Sequence, residues 1–99
     1  MIVESSINAN TLIVKINGRF DFSAHNEFRN AIKLVEDGIA KIEVDLSNTD
    51  YLDSSALGML LLLRDKLTGD KSSMEIKHAQ AQVKRILEIA NFDKIFKLS

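Results

Sequence analysis

The feature that most constrains the fold is the alternation of two apolar periods along the chain. Apolar residues at every second position predict strands, and apolar residues at every third or fourth position predict helices. The predicted strands are residues 2–7, 11–18, 39–46, 74–78 and a short last one at 95–98. The first predicted helix begins with Ser23 as its cap and ends at Gly38, and two more cover residues 56–67, closed by 68–70, and 79–90.

The order of these segments predicts how the strands connect. The first two strands flank the turn-forming residues 8–10, which predict a hairpin, whereas a helix precedes each later strand and can serve as a parallel crossover. Polar residues 47–50 predict a turn after the third strand. We therefore expect an α/β fold, a mixed sheet of four to five strands with about three helices packed on one face. Ninety-nine residues with 45% apolar content predict one domain over 1–99.

Composition argues against several classes of function. The 13 basic and 14 acidic residues do not provide the basic surplus that nucleic-acid binding requires. The longest apolar stretch, residues 56–63, is far shorter than the roughly 18 residues of a membrane span. Cysteine is absent, which excludes disulfides and zinc–thiolate sites. The N-terminus lacks the features of a secretion signal, so we expect a cytoplasmic protein with neither nucleic-acid nor membrane partners.

Residues that usually carry catalysis are sparse. His25 and His78 are isolated from each other, so we expect no metal ion. The four glycines are too scattered for a phosphate-binding loop, which disfavours a nucleotide-binding module. Three of the four aspartates that could form an acid–base pair stand at predicted strand ends or turns, where aspartate is common. We expect no enzymatic activity, no cofactor and no small-molecule substrate.

The most specific candidate site is the block of residues 53–58, Asp-Ser-Ser-Ala-Leu-Gly. It stands where a helix is predicted to begin, and the unpaired N–H groups and positive dipole end of a helix favour a phosphate. Ser54 or Ser55 is therefore a candidate phosphoacceptor; the alternative is that Asp53 or Ser54 only caps the helix. If the second and third strands end side by side, Asp21 and Asp53 flank the serine. Each carboxylate would then repel a phosphate charge ~6 Å away by roughly 3 kcal/mol at an effective dielectric of about 20.

A second candidate surface lies on the helix that follows this block. At about 100° per residue, one side of the helix is predicted to face the core, and four residues share it: Ala56, Leu60, Leu63 and Leu67. Leu62 lies away from that side next to Gly58, and Leu61 lies at its border. Our hypothesis is that Gly58, Leu61 and Leu62 form an apolar contact patch for a protein partner. The alternative is a helix buried on both sides.

Residues 18–21, 44–47 and 51–58 closely resemble the STAS domain of bacterial anti-sigma-factor antagonists, and the resemblance covers essentially the whole chain. Residues 18–25 and 57–65 are similar to a proteobacterial branch of stand-alone STAS proteins. The resemblance implies that Ser54 is the phosphorylated residue and that Ser55 is its unmodified neighbour. It also implies that Asp21 flanks the acceptor and that Asp53 directly precedes it.

The same resemblance implies protein partners. Members of this family bind an anti-sigma factor or a histidine-kinase-like serine kinase when unmodified and release it when phosphorylated. A PP2C-type phosphatase restores the free serine. In the proteobacterial branch, this phosphatase is of a response-regulator type and is thus fused to a receiver domain. The leading interpretation is therefore a non-enzymatic partner-switching regulator of transcription. The alternative is a constitutive STAS scaffold subunit of a lipid-transport or stress complex.

Overall fold

A computed structural model describes residues 2–35, 39–67 and 73–98. Within these ranges the strands are β1 (Val3–Asn8), β2 (Thr11–Phe20), β3 (Lys41–Leu52), β4 (Ser73–Lys77) and β5 (Lys97–Leu98). The α-helices are α1 (His25–Ile32), α2 (Ser54–Asp65) and α3 (Ala81–Ile89). Short 3₁₀ turns at Phe22–Ala24 and Phe92–Lys94 precede α1 and follow α3.

The strands form one mixed sheet in the order β1-β2-β3-β4-β5. β1 is antiparallel to β2, and the three later pairs are parallel. Each parallel connection moves one strand in the same direction, and such crossovers are right-handed, so the three helices cover the same face of the sheet. The predicted fold, an α/β arrangement with a mixed sheet and about three helices on one face, is confirmed.

The core lies between the helices and this covered face. Alternate residues of β2 and β3 are fully buried there: Leu12, Val14, Ile16, Ile42, Val44 and Leu46. The helices contribute Phe28 from α1, Leu60 and Leu63 from α2, and Leu87 from α3, all with no exposed surface. At about 25 cal/mol per Å² of apolar surface, burial of side chains of this size is worth roughly 1.5–3 kcal/mol each. The core therefore fixes the position of α2 against the sheet.

The opposite face of the sheet is polar. Glu43 accepts ion pairs from Lys41 at 3.3 Å and from Lys77 at 3.2 Å. Glu75 pairs with Lys77 at 3.4 Å and with Lys97 at 3.6 Å, so the charges alternate across three adjacent strands. Alternating charges of this kind cover a sheet face that carries no helix.

The prediction of a turn at 47–50 is wrong, because β3 continues through these residues to Leu52 and β2 continues to Phe20. Two irregularities in their pairing, between Lys15 and Asn17 and at Gly18, let the polar segment stay in the sheet. Gly18 has a φ of +80°, which a glycine adopts without strain. Thr49 is fully buried, and its hydroxyl donates to the Ile16 carbonyl at 2.9 Å. The pairing of β2 with β3 and the Thr49 hydrogen bond join segments that are distant in sequence, and together they override the local turn preference of residues 47–50.

The predicted boundaries of the helices need three corrections. Ser23 does not cap the first helix: the Asp21 carboxylate accepts the Ser23 N–H at 2.9 Å and caps the 3₁₀ turn, and α1 begins only at His25. α2 begins at Ser54, two residues earlier than predicted, and ends at Asp65, so Leu67 is half-buried beyond it. α3 is shorter than residues 79–90. The predicted helix ends at Gly38 and 68–70 lie outside the described residues.

The hairpin is confirmed, but its turn is tighter than predicted. Asn8 pairs with Thr11, which leaves a two-residue loop in place of three residues. Ala9 adopts a φ of +57° in this loop. The turn prediction was based on asparagine, which tolerates this conformation better than alanine. The last strand is also shorter than 95–98, because 92–94 form the 3₁₀ turn that leads into β5.

Candidate functional site

The candidate site lies where β3 passes into α2. Asp53 has an extended backbone, with φ −115° and ψ −174°, and its N–H donates to the Phe20 carbonyl at 3.3 Å. Its side chain accepts the Ala56 N–H at 3.0 Å and so caps the first turn of α2. The prediction that Asp53 or Ser54 stands at a helix cap is thus confirmed for Asp53.

The two serines of the block have different environments. The hydroxyl of Ser55 is partly buried and donates to Asp53 Oδ1 at 2.6 Å. Ser54 is exposed at the first position of α2, and no described residue hydrogen-bonds to its hydroxyl. The Ser54 hydroxyl is thus accessible without the loss of a hydrogen bond to a described residue, whereas the Ser55 hydroxyl is held by Asp53.

Asp21 follows the end of β2 and also holds its own turn. Besides the Ser23 N–H, it accepts the Ser23 hydroxyl at 2.5 Å and pairs with the Arg19 guanidinium at 3.5 Å. Arg19 in turn lies over the ring of Tyr51 at 4.4 Å. The Ser23 hydroxyl, the Ser23 N–H and Arg19 together lower the pKa of Asp21 below its usual range. Asp21 is therefore ionised at neutral pH.

The structure brings Asp21 and Asp53 together, as expected for strands that end side by side. Phe20 pairs with Leu52 in the sheet, so the two aspartates follow neighbouring strand ends. The Ser55 hydroxyl is the main cause that lowers the pKa of Asp53, while the nearby Asp21 carboxylate raises it by a smaller amount. Asp53 therefore directly precedes the exposed Ser54, and Asp21 is close enough to Asp53 to oppose its ionisation.

This arrangement suits a modification that is added and removed by other proteins. The start of α2 supplies a positive dipole end for a phosphate, and the aspartates supply negative charge that opposes it. Asp53 Oδ1 is already engaged by Ser55 and Ala56, which makes it a poor general base for Ser54. Within the described ranges, no three histidine, cysteine or acidic side chains are grouped to hold a metal ion.

The predicted contact patch has the exposure that the helical geometry predicts. Leu62 is 55% exposed, whereas Leu61 is half-buried against the core. Gly58 is exposed, and a Cβ placed there would meet nothing within 4 Å outside its own helix backbone. Glycine is thus not required for packing at this position, and its effect is to leave no side chain on the helix surface between Ser54 and Leu62.

Two features near the site were missed by the sequence analysis. Phe22 is 71% exposed and stacks on His25 with ring centroids 5.4 Å apart. The Gln80 amide donates to the carbonyls of Ser47 at 3.2 Å and Thr49 at 2.9 Å, which ties the start of α3 to the end of β3. Phe22 could have been suspected, because it breaks the strand alternation just after Asp21. Gln80 is 22 or more residues from the block of residues 53–58 in sequence and gave no local signal.

In the described part of the chain, every helix is too short or too polar to cross a bilayer. The family model described as "Mlab, STAS domain" matches residues 3–98. A STAS-domain-containing protein of Pseudomonas aeruginosa is 46% identical over 94 residues, which cover 95% of this chain and 93% of that protein.

Two solved structures share the fold at lower identity. The crystal structure of an anti-sigma factor antagonist from Mycobacterium paratuberculosis superposes with a TM-score of 0.83 at 23% identity, over 97% of this chain and 82% of that one. The phosphorylated form of the Bacillus cell fate determinant SpoIIAA superposes with a TM-score of 0.74 at 13% identity, over 98% of this chain and 90% of that one. The family model spans nearly all of the sheet and helices described above, and the chain therefore belongs to the STAS domain family.

Proposed function

We propose that this protein is an anti-sigma-factor antagonist that works by partner switching. With Ser54 unmodified, it binds an anti-sigma factor or a serine kinase; with Ser54 phosphorylated, it releases that partner. The observation that carries the proposal is the contrast between the exposed, unengaged hydroxyl of Ser54 and the hydroxyl of Ser55, which Asp53 holds. The solved structure described as an anti-sigma factor antagonist supports the class, and the phosphorylated form of the Bacillus cell fate determinant SpoIIAA shares the fold.

Release follows from the charges around Ser54. A phosphoserine carries about −1.5 to −2 charges at neutral pH. Beside the ionised Asp21 and Asp53, it would make the start of α2 strongly negative, and a docked partner would remove the water that screens this charge. Each 1.4 kcal/mol of unfavourable interaction weakens binding about tenfold, so a small part of the bare repulsion is enough for a switch.

The partners of this cycle act in the cytoplasm. The kinase of the pair supplies the phosphate from ATP, and a PP2C-type phosphatase, in this proposal fused to a receiver domain, removes it. The STAS protein itself contributes the acceptor hydroxyl, the helix start that holds it and the surface that the partner contacts. Regulation of transcription follows because the partner that is bound to this protein cannot bind a sigma factor.

The test compares Ser54→Ala, Ser54→Asp and Ser55→Ala proteins. The Ala and Asp variants of Ser54 serve first as baits to identify the partner, whose affinity is then measured by calorimetry. We expect Ser54→Ala to bind as the wild type does, and Ser54→Asp to bind at least about tenfold more weakly. With the cognate kinase and ATP, mass spectrometry should find phosphate on Ser54 in the wild type and in Ser55→Ala.

Phosphate on a residue other than Ser54 would reject this assignment. Equal capture and equal affinity of the Ser54→Ala and Ser54→Asp proteins would instead favour the alternative of a constitutive scaffold subunit. In that case the protein should co-purify stably with its complex whatever residue stands at position 54.

A further inference from the structure

A groove runs between α1 and α2 on the side of the helices away from the sheet. Its apolar lining consists of Phe28, Ile32 and Met59, which are buried, and of Leu62, which is 55% exposed. Two adjoining cavities of about 330 Å³ and 450 Å³ make up the groove and share Arg29, Ile32 and Leu62 in their walls. We call this surface the α1–α2 groove. Its size and apolar lining suit the side chains of a segment from another protein.

The rim of the α1–α2 groove is basic. Arg29 lies on α1, Lys33 directly follows α1, and Lys66 directly follows α2; all three are exposed. Asp65 is the one carboxylate among the described residues that line the two cavities. None of the ion pairs among the described residues involves Arg29, Lys33 or Lys66. Three cations around an apolar lining are complementary to a segment that is apolar on one side and acidic at its flanks.

The α1–α2 groove is continuous with the switch site. His25 lines the groove and stacks on the exposed Phe22, which directly follows Asp21. Asp21 is close enough to Asp53 to oppose its ionisation. A segment seated on Leu62 and His25 would therefore reach the neighbourhood of Ser54. On α2 itself, Ser54, Gly58 and Leu62 are spaced four residues apart and follow one side of the helix.

We propose that the α1–α2 groove binds an acidic amphipathic helix of the protein partner. The apolar side of this helix contacts Leu62, which is 55% exposed, and the small accessible edges of Ile32 and Met59. Its acidic flanks pair with Arg29, Lys33 and Lys66. A groove between two helices accepts the ridge of a third helix, which is a common mode of peptide recognition. This inference rests on the proposed function, and it adds the chemistry of the partner segment.

An acidic occupant also explains why phosphate at Ser54 would weaken binding. The phosphate adds negative charge at the His25 end of the groove, on the side of Asp21 and Asp53. Of the three rim cations, only Arg29 lines the cavity at this end, while Lys33 and Lys66 line the other cavity. Like charges at this end disfavour the docked helix, while the basic rim of Arg29, Lys33 and Lys66 continues to attract it in the unmodified protein.

The test uses two synthetic helical peptides with the same leucine stripe, one flanked by glutamates and the other by lysines. Binding to the full chain is measured by fluorescence anisotropy, and its position is mapped by NMR shifts of backbone amides. We expect the glutamate peptide to bind at least about tenfold more tightly than the lysine peptide and to shift α1 and α2 resonances. The double variant Arg29→Glu/Lys33→Glu should bind the glutamate peptide at least about tenfold more weakly than the wild type does, and should bind the lysine peptide more tightly.

Matched variants on α3 serve as controls. Lys84 and Arg85 are exposed there, so Lys84→Glu/Arg85→Glu changes the net charge equally without touching the groove. Leu62→Glu is likewise paired with Ile89→Glu, because Ile89 is a similarly exposed aliphatic residue at 73%. We expect only the α1 and α2 variants to weaken the glutamate peptide, with circular dichroism showing that all four proteins are folded.

Three results would overturn the inference: no binding of either peptide, equal affinity for both, or equal loss in the α3 controls. These outcomes are separate from those of the proposed function, because phosphorylation of Ser54 and the contrast between its Ala and Asp variants need no peptide. If those results hold while the glutamate peptide fails to bind, the partner docks elsewhere. If the peptide binds the groove but Ser54 is never modified, only the switch is wrong.

Discussion

Asp53 determines how the two neighbouring serines differ. One carboxylate oxygen accepts both the Ser55 hydroxyl and the Ala56 N–H, so Ser55 is drawn toward the cap. Ser54, which stands between Asp53 and Ser55 in the sequence, is left exposed. A single side chain thus starts the helix, withdraws one serine from solvent and leaves the other accessible.

Ser55→Ala tests this arrangement directly. The Ser55 hydroxyl is the main cause of the lowered pKa of Asp53, so its removal should raise that pKa toward the ordinary carboxyl value. The carboxyl carbon of Asp53, followed by NMR during a pH titration, reports the change. Loss of one such hydrogen bond should also cost about 0.5–1.5 kcal/mol of stability. An Asp53 titration that Ser54→Ala displaces as much as Ser55→Ala would contradict the assignment of the hydrogen bond.

Among the three α-helices in the described ranges, α2 is the one that begins with a side-chain cap. The N-cap residues of α1 and α3, Ala24 and Gln80, form no capping hydrogen bond with their side chains. The amide of Gln80 is used elsewhere, on the carbonyls of Ser47 and Thr49 at the end of β3. One interaction thus holds β3 at Ser47 and Thr49, and the other holds the start of α2.

Asp53→Ala should therefore destabilise the fold by about 0.5–2 kcal/mol, the usual range for loss of an N-cap. Asp53→Asn retains an oxygen that can accept the Ala56 N–H, so this variant should lose much less stability. Urea unfolding followed by circular dichroism measures both. If the two variants lose stability equally, the negative charge of Asp53 matters for stability, and the hydrogen bond of the cap does not.

Carboxylates with lowered pKa values are distributed across the whole molecule. Hydrogen bonds from Ser23 and Ser55 lower the pKa of Asp21 and Asp53, and Lys77 and Lys41 lower that of Glu43. Burial raises the pKa of Asp45 and of Glu75, but other effects together outweigh it: hydrogen bonds from Ser47 with the charges of His78 and Lys15 at Asp45, and Lys77 with Lys97 and Lys41 at Glu75. Because each group binds its proton more weakly in the folded chain, the unfolded chain takes up more protons as the pH falls.

The free energy of unfolding should consequently be constant between about pH 5 and pH 7 and should fall as the pH decreases through about 4 and then through the lower folded pKa values. Urea unfolding between pH 7 and pH 2.5 measures this dependence. Glu43→Gln/Glu75→Gln should make the dependence shallower, because it removes two of these carboxylates. Glu88→Gln, an exposed change on α3 outside the ion pairs of the described residues, should leave it unchanged. A free energy of unfolding that increases toward pH 3 would contradict the expected direction of this pH dependence.

Local patterns were enough to predict most of the elements. A period of two or of about 3.6 depends only on which side chains share a face, so the sheet, the helices and the core side of α2 could be read from the sequence. The cap at Asp53 and the exposure of Leu62 followed in the same way from the block at 53–58 and the helical angle.

The sequence by itself determined these elements and placed Ser54 at a helix start, because each of these features depends on neighbours a few residues apart. Only the tertiary structure decided that residues 47–50 are strand, since Ile16 and Gln80 hold them from distant parts of the chain. It also decided that Asp21 meets Asp53 and that α1 and α2 leave a basic-rimmed groove. Those features arise from pairing and packing between segments, which no local pattern encodes.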